Sequence, residues 1–269
     1  MITSITNGRV KNVISLIKKA RTRKEQGVFV VEGIRMVREA PKDRIKELYV
    51  SENFLMKEEN RIFLEKEVGV PFEAVKDEVF TKMSDTVTPQ GILCVLYRMD
   101  HNLEYMLDQK EGTFLILEDI QDPGNLGTML RTGEAAGIAG VIMSSGTVDI
   151  YNPKVIRSTM GSIYRVPFCY VDDLPAALRL LRKRGVHTYA AHLAGDRYYD
   201  ECFFAGQTGL LIGNEGNGLS DEVTGLAEHR LKIPMEGQVE SLNAAVSASI
   251  LMYEAYRQKR GRHVPDSCN

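Results

Sequence analysis

Hydrophobic positions in the first hundred residues switch between helical spacing and short continuous runs. Val10, Val13, Ile14 and Ile17 recur at helical spacing, with lysines on the other side. The runs VFVVEG, IKELYV and GILCVLY are typical of strands, and the segment RTRKEQG breaks the pattern before the first run. Further helices are expected at 34–40, 58–68 and 77–83. This pattern predicts a small α/β domain with a polar linker behind it.

From Phe114 onward, strands and helices alternate regularly. The predicted strands are FLILEDI, GVIMSS, VPFCYV, VHTYAA, GLLIG and RLKIPM, and the predicted helices are 126–136, 153–158, 174–184 and 241–259. Such alternation indicates an α/β fold with a mostly parallel sheet and helices on both faces. Ligands of these sheets bind beyond the carboxyl ends of the strands. We therefore divide the chain into residues 1–105, a small α/β domain with its linker, and residues 106–269.

Charge is unevenly distributed along a chain whose formal net charge is only −2. Residues 1–40 contain nine lysines and arginines against three glutamates. A local basic excess is typical of a surface that contacts phosphate, although a solvated basic helix would have the same composition. The candidate contacts are Arg9, Lys11, Arg21, Arg23 and Lys24.

The four cysteines argue against both metal and disulfide chemistry. Cys94, Cys169, Cys202 and Cys268 are scattered, without a CxxC pair.

The sequence also has no apolar signal core and no run of about 18 apolar residues. We expect a cytoplasmic protein without a metal or a membrane partner.

One stretch, from Leu115 to Gly137, predicts a strand, a turn and a helix in immediate succession. Asn125 is expected to be the N-cap of that helix, at the mouth of the strand-to-helix loop. Arg131 lies away from the apolar face of the helix. An arginine there is either a solvated surface residue or a functional one.

Two later stretches combine glycines and polar residues in the same way. Gly209–Ser220 is an apolar strand that leads into a glycine-rich turn, without the Gly-Lys-Ser/Thr of a P-loop or the spacing GxGxxG. Ile233–Ala255 ends a strand and begins a long helix that Ser241 is expected to cap, with Asn243 in its first turn. That helix is apolar nearly all round, which indicates either a central core helix or a subunit interface.

Together these stretches resemble the SpoU (TrmH-type) ribose methyltransferases. The three motifs of that family are matched in order and spacing by DPGNLGTMLRT, LLIGNEGNGLS and IPMEGQVESLNAAVS, and NPKVIRSTMGSIYRVPF is similar to the segment between the first two. RTRKEQGVFVVEG resembles more loosely the basic substrate-binding domain that many members carry. Gly133 and Ala244 depart from the pattern, where Ala and Val are expected.

The resemblance implies several properties of the protein. The second domain should form a trefoil knot, bind S-adenosyl-L-methionine and assemble as a homodimer. The product should be a ribose 2′-O-methyl group in RNA. The full N-terminal domain is more similar to enzymes of large-subunit ribosomal RNA than to tRNA enzymes.

A tRNA 2′-O-methyltransferase and a non-catalytic RNA-binding protein with a degenerate transferase domain are the alternatives. A dinucleotide-binding oxidoreductase would share the α/β pattern, but the glycines do not fit it.

The same resemblance assigns roles to individual residues. It places Arg131 at the attacking 2′-oxygen, with Asn125 helping to position it or the ribose, Glu215 pairing with its guanidinium, and Ser241 and Asn243 facing the site. The expected cofactor-binding residues are Leu211, Gly213, Asn214, Gly218, Ile233, Met235, Ser241 and Leu242. Of these, the resemblance implies that Leu211, Gly213, Ile233 and Leu242 hold the adenosine through their main-chain groups.

Overall fold

The computed structural model describes residues 1–108 and 112–261. Its helices are α1 (Gly8–Lys18), α2 (Ala20–Gln26), α3 (Ile34–Glu39), α4 (Glu52–Met56), α5 (Glu58–Phe63), α6 (Asp77–Met83), α7 (Leu103–Leu107), α8 (Pro123–Ala136), α9 (Pro153–Thr159), α10 (Leu174–Lys183), α11 (Asp221–Leu226) and α12 (Ala244–Gly261). Its strands are β1 (Val28–Glu32), β2 (Ile45–Ser51), β3 (Glu73–Val75), β4 (Ile92–Tyr97), β5 (Gly112–Leu117), β6 (Gly140–Ser144), β7 (Phe168–Val171), β8 (His187–Ala191), β9 (Arg197–Tyr198), β10 (Gln207–Ile212) and β11 (His229–Lys232).

The described chain forms two compact units. The first contains residues 1–99 together with 149–164, and the second contains residues 100–148 and 165–261. The change of unit after Met99 lies close to the predicted division after residue 105. Segment 149–164, which includes α9, packs within the first unit although its sequence lies between motifs of the second.

The first unit has a four-stranded sheet in the order β1-β4-β2-β3. Strand β4 pairs antiparallel with β1 and β2, and β3 joins β2 in parallel. Of the apolar residues predicted on the first helix, Val10, Val13 and Ile17 are buried in the core beside this sheet, and Ile14 is half-buried. The small α/β domain is therefore confirmed, but RTRKEQG is not a break. It forms α2, which Gly27 ends in the left-handed conformation at φ 63°.

Segment 149–164 is held within the first unit by side chains of several elements. Asp149 accepts hydrogen bonds from Arg23, and the ring of Tyr151 lies 4.5 Å from that of Phe29, centroid to centroid. The Tyr164 hydroxyl donates to the carbonyl of Met36 at 2.9 Å. Buried aromatic and charged contacts of this kind define the position of the segment.

The second unit has a seven-stranded sheet in the order β7-β6-β5-β10-β8-β11-β9, and all its described pairs are parallel. Leu115, Ile116 and Leu117 of β5 are at most 1% exposed, as the continuous apolar run predicted. Strand β9 and helix α11 were not predicted, since each is too short to show a periodicity.

This strand order brings two of the three motifs together. The chain leaves β5 toward β6 and β7 on one side and returns to β8 and β10 on the other, so β5 and β10 become neighbours. Their last residues, Leu117 and Ile212, are paired in register. The two loops that follow these strands therefore start side by side at the carboxyl edge of the sheet, where α/β proteins bind ligands.

Helix α12 packs against α8 and explains one departure from the family pattern. A Cβ atom on Gly133 would lie 2.4 Å from Ile138 Cδ1 and 3.5 Å from Met252 Sδ. Ile138 is the second residue after α8, and Met252 belongs to α12. The missing methyl group at position 133 thus leaves room for these two larger side chains.

Candidate active site

The loop after β5 turns into α8 through a cap that the sequence analysis assigned to the wrong residue. Asp122, not Asn125, is the N-cap: its side chain accepts from the Asn125 N–H at 2.8 Å, and Pro123 follows in the first turn. Asn125 is the third residue of the helix and lies in its first turn. Because its side chain is not occupied by capping, it is free to make tertiary contacts.

Glu215 is the centre of a hydrogen-bond network that joins the motifs. Its Oε1 accepts from Asn125 Nδ2 at 2.9 Å and from the Asp122 N–H at 3.1 Å, and its Oε2 accepts from the Gln121 N–H at 3.0 Å. Partial burial opposes ionisation of this carboxyl, but the hydrogen bonds from Asn125, Gln121 and Asp122 outweigh it and lower the pKa of Glu215. Glu215 is therefore an ionised anchor for the first turn of α8.

Asn243 connects the third motif to this network. Its Nδ2 donates to Asn125 Oδ1 at 3.0 Å, while its own Oδ1 accepts from the N–H groups of Ala245 and Val246. Asn243 therefore caps α12, and the predicted capping role of Ser241 is wrong, because the helix begins at Ala244. The two contacts of Asn125, one as donor and one as acceptor, define the orientation of its amide.

Arg131 is exposed on α8, as its place on the helical wheel predicted. Within residues 1–108 and 112–261 it has neither a hydrogen bond nor an ion pair, and the expected pairing with Glu215 is not formed. The reason is geometric: Glu215 is turned toward Asn125 and the main chain of 121–122. The guanidinium of Arg131 is thus available to a ligand.

A cavity of about 870 Å³ opens beside this network in the second unit. It is lined by all the predicted cofactor residues except one, Gly213, Asn214, Gly218, Ile233, Met235, Ser241 and Leu242, and by Glu215 and Asn243. The exception is Leu211, whose side chain is completely buried in β10 between β5 and β8. Its expected contact with the cofactor is through the main chain, and that contact stays a prediction. The lining of the cavity combines apolar side chains such as Ile233 and Leu242 with polar ones such as Asn214 and Ser241, a composition typical of small-molecule sites.

Part of the cavity wall was missed by sequence reasoning. Ala191 is the last residue of β8, His192 and Leu193 follow it, and Tyr198 is the last residue of β9. The signal for them was present, because the carboxyl end of a parallel strand next to β10 belongs to the same edge of the sheet.

The glycine-rich turn after β10 owes its shape to backbone packing. A Cβ atom on Gly213 would lie 2.1 Å from the carbonyl carbon of Gly218 and 2.2 Å from the Leu219 nitrogen. Asn214 and Gly218 exchange two main-chain hydrogen bonds, and Gly218 has φ 70°. Only glycine at position 213, which lines the cavity, allows the main chain to return so closely.

The predicted phosphate contacts in the first unit fall into different environments. Lys11, Arg21 and Lys24 are exposed, with Arg21 paired to Glu25 at 2.7 Å. Arg9 is exposed too and pairs with Glu73 at 2.5 Å, and this hydrogen-bonded pairing raises the pKa of Arg9.

Arg23 does not fit the prediction, because it is 4% exposed. Its Nε and Nη2 donate to Asp149, and its Nη1 donates to the carbonyls of Leu16 and Ile17. With these contacts its guanidinium is a structural element of the first unit and is unavailable to RNA.

Within the described residues, no cluster of His, Cys, Asp and Glu side chains is arranged to bind a metal. The described helices include none that is long and apolar enough to cross a membrane.

Comparison with known proteins identifies both parts of the chain. Residues 112–253 match the SpoU rRNA Methylase family, and residues 7–94 match the MRM3-like substrate binding domain. The chain belongs to the SpoU rRNA methylase family. The family membership predicted from the three motifs is therefore confirmed. The predicted α/β fold is confirmed as well, and so is the class of enzyme, an S-adenosylmethionine-dependent RNA 2′-O-methyltransferase.

Relatives align with this SpoU chain along most of its length. The 23S rRNA (guanosine(2553)-2'-O)-methyltransferase RlmP of Bacillus subtilis is 34% identical over 94% of this chain and 97% of its own. Human mitochondrial rRNA methyltransferase 3 is 31% identical over 94% of this chain and 73% of its own.

The solved structures that match differ in how much of this chain they cover. AdoMet-bound rRNA methyltransferase from Sinorhizobium meliloti superposes with a TM-score of 0.83 at 31% identity, covering 95% of this chain and 97% of that one. A structure that describes 2′-OH methylation of C/U34 on tRNA has a TM-score of 0.52 at 34% identity and covers only 56% of this chain, although 99% of its own.

Proposed function

We propose that this SpoU methyltransferase modifies a ribose 2′-hydroxyl in large-subunit ribosomal RNA. The observation that carries the proposal is the N-terminal unit. The ribosomal RNA enzymes from Bacillus subtilis and Sinorhizobium meliloti match 94% and 95% of the chain, whereas the structure that describes tRNA methylation covers only 56% of it. The alternative of a degenerate, non-catalytic protein is disfavoured because Asn125, Arg131 and Glu215 are all retained.

The cavity suits the proposed methyl donor in size and chemistry. Its volume of about 870 Å³ exceeds what a nucleoside-sized ligand needs, and Gly213 brings main-chain polar groups close to the ligand. We assign the adenosine to Ile233, Leu242 and the turn 213–218. When bound there, S-adenosylmethionine would supply a methyl group on a positively charged sulfur, and transfer of that methyl to an oxygen nucleophile would leave the electron pair of the broken bond on sulfur.

The chain's own residues prepare that attack. A hydroxyl oxygen is a poor nucleophile until its developing negative charge is stabilised. A guanidinium stays protonated at neutral pH, so Arg131 orients and stabilises the attacking oxygen, and the proton passes to water or to an RNA phosphate. Asn125, held by Glu215 and Asn243, presents its remaining amide hydrogen-bonding capacity to the ribose.

The assembly proposed is a homodimer with the family's trefoil knot. Val246, Tyr253 and Tyr256 on α12 are 47%, 47% and 40% exposed, although the opposite side of the helix is buried. Exposed apolar side chains on one face of a helix favour an interface between copies. Sedimentation should show about twice the monomer mass of 30.1 kDa. The cytoplasmic location remains part of this proposal.

Transfer of a radiolabelled methyl group from S-adenosylmethionine tests the function. We expect the label to be incorporated into unmodified large-subunit ribosomal RNA and not into a tRNA pool. After alkaline hydrolysis the label should remain in dinucleotides, because a 2′-O-methyl group prevents cleavage of the adjacent phosphodiester bond. Arg131→Ala should reduce the single-turnover rate at least about a hundredfold without weakening cofactor binding. Arg179→Ala is the matched control, because Arg179 is an exposed arginine on α10. Labelling of tRNA alone would contradict the proposed substrate.

A further inference from the structure

One residue outside the assigned site has an unusual backbone conformation at the edge of the active-site network. Asp119, the second residue after β5, has φ 54°, and Met160 is the other described non-glycine residue with positive φ. L-residues rarely adopt this left-handed conformation, and Asp and Asn tolerate it best because their side chains form local hydrogen bonds. A residue held there against its preference requires compensating contacts.

Ser144, at the end of β6, provides these contacts. The Asp119 N–H donates to Ser144 Oγ at 2.8 Å, and Ser144 Oγ donates in turn to Asp119 Oδ1 at 2.6 Å. Ser144 is 8% exposed, so this pair of hydrogen bonds is largely shielded from water. Gly146 leaves space for the carboxylate, since a Cβ atom there would lie 2.1 Å from Asp119 Oδ1.

The left-handed conformation aims the Asp119 carbonyl at the cofactor turn. That carbonyl accepts from Asn214 Nδ2 at 2.8 Å and from Gln121 Nε2 at 3.0 Å. Asn214 Oδ1 accepts from the N–H groups of Gly216 and Asn217, which shapes the turn that contains Glu215. Gln121 also donates its main-chain N–H to Glu215.

We propose that Asp119 is a positioning residue for methyl transfer, acting through its carbonyl on Asn214 and thereby on Glu215 and Asn125. Ser144 fixes the Asp119 side chain, the side chain fixes the backbone, and the backbone carbonyl fixes the turn that borders the cavity. The inference rests on the proposed function, because the turn matters only if the cavity holds the methyl donor. Asp119 itself does not touch the reacting atoms.

Three substitutions separate positioning from a purely structural role. Asp119→Gly adopts the same φ without strain but loses the side-chain link, so the unfolding midpoint should stay close to that of the wild type. Calorimetry should show binding of S-adenosylhomocysteine weakened about five- to tenfold, the effect of one lost net hydrogen bond. Asp119→Asn keeps the acceptor and the conformational tolerance, and should restore binding. Ser144→Ala should weaken S-adenosylhomocysteine binding as much as Asp119→Gly does. The double variant should bind no more weakly than either single variant.

The outcomes distinguish this inference from the function on which it rests. Ser145→Ala is the control, because Ser145 is exposed and bonds to Val171 through its main chain. If the wild-type protein binds S-adenosylhomocysteine and Asp119→Gly binds it equally well with equal single-turnover rates, the positioning role is overturned and the function stands. The positioning role would also be overturned if Asp119→Asn and Asp119→Gly lost the same amount of affinity for S-adenosylhomocysteine. If the wild-type protein itself does not bind, the proposed function fails and the inference with it.

Discussion

Substitution of Arg23 distinguishes a structural arginine from an RNA contact. The sequence places Arg23 in the basic stretch and predicts that it binds phosphate, whereas the structure buries it against Asp149 and the last carbonyls of α1. Arg23→Ala would leave the Asp149 carboxylate without its partner and the carbonyls of Leu16 and Ile17 without their donor.

The magnitude follows from the burial of the pair. Removing one partner of a buried ion pair costs about 3–5 kcal/mol, because the remaining charge stays in the interior unpaired. The Asp149 side chain is 27% exposed, so water can solvate part of that charge. We therefore expect a loss near the lower limit, about 3 kcal/mol. For the first unit, which consists of residues 1–99 and 149–164, this corresponds to a decrease of about 12 °C in the unfolding midpoint.

Thermal unfolding followed by circular dichroism measures this effect. Lys24→Ala is the matched control, because Lys24 is the next residue on α2 and is exposed. It should change stability by no more than about 0.5 kcal/mol while weakening RNA binding and reducing its salt dependence. The reasoning is refuted if Arg23→Ala is as stable as Lys24→Ala and loses RNA affinity instead.

Further predictions concern the active-site network and its turn. Glu215→Gln should lower the free energy of unfolding by about 1 kcal/mol at pH 7, since Gln can accept at only one of the two carboxylate positions; urea titration measures this. The pKa of Glu215 is lowered in the folded state, so its contribution is complete above the unfolded pKa of about 4.5 and is lost as the pH falls through the folded value. The difference between wild type and Glu215→Gln should accordingly shrink below about pH 4.5, and a constant difference would contradict the network. Gly213→Ala should abolish calorimetric binding of S-adenosylhomocysteine, because its Cβ atom would collide with the main chain of Gly218; unchanged affinity would show that the turn does not form the site. Asn243→Ala removes both a cap and a contact to Asn125, so it should lower the unfolding midpoint and the methyl-transfer rate together, whereas Asn243→Asp should retain the capping contribution alone.

The sequence by itself determined the elements and motifs that depend on local patterns. A continuous apolar run such as Leu115–Leu117 can only be buried, and helical spacing of Val10, Val13 and Ile17 can only form one apolar face. The three motifs identified the family because their polar residues and glycines occur in a fixed order. These features can be predicted without knowing which residues each side chain contacts in the folded protein.

Tertiary structure decided which side chains meet. Asp122 and Asn125 are both good caps, as are Ser241 and Asn243, and the sequence does not say which of each pair caps and which binds across the site. The choice depends on Glu215, which reaches α8 from a loop 90 residues away in the chain. Short elements such as β9 and α11 likewise exist because neighbouring strands and helices support them.

Charge was the least predictable property, because a charged residue has the same sequence signature whether it is buried or solvated. Arg23 and Lys24 are adjacent, yet one is 4% exposed and the other lies on the surface. Burial of Arg23 becomes favourable only when Asp149, 126 residues later, supplies the opposite charge at 2.6 Å. Long-range pairing of this kind is a property of the folded chain, since it depends on two segments that only the tertiary structure brings together.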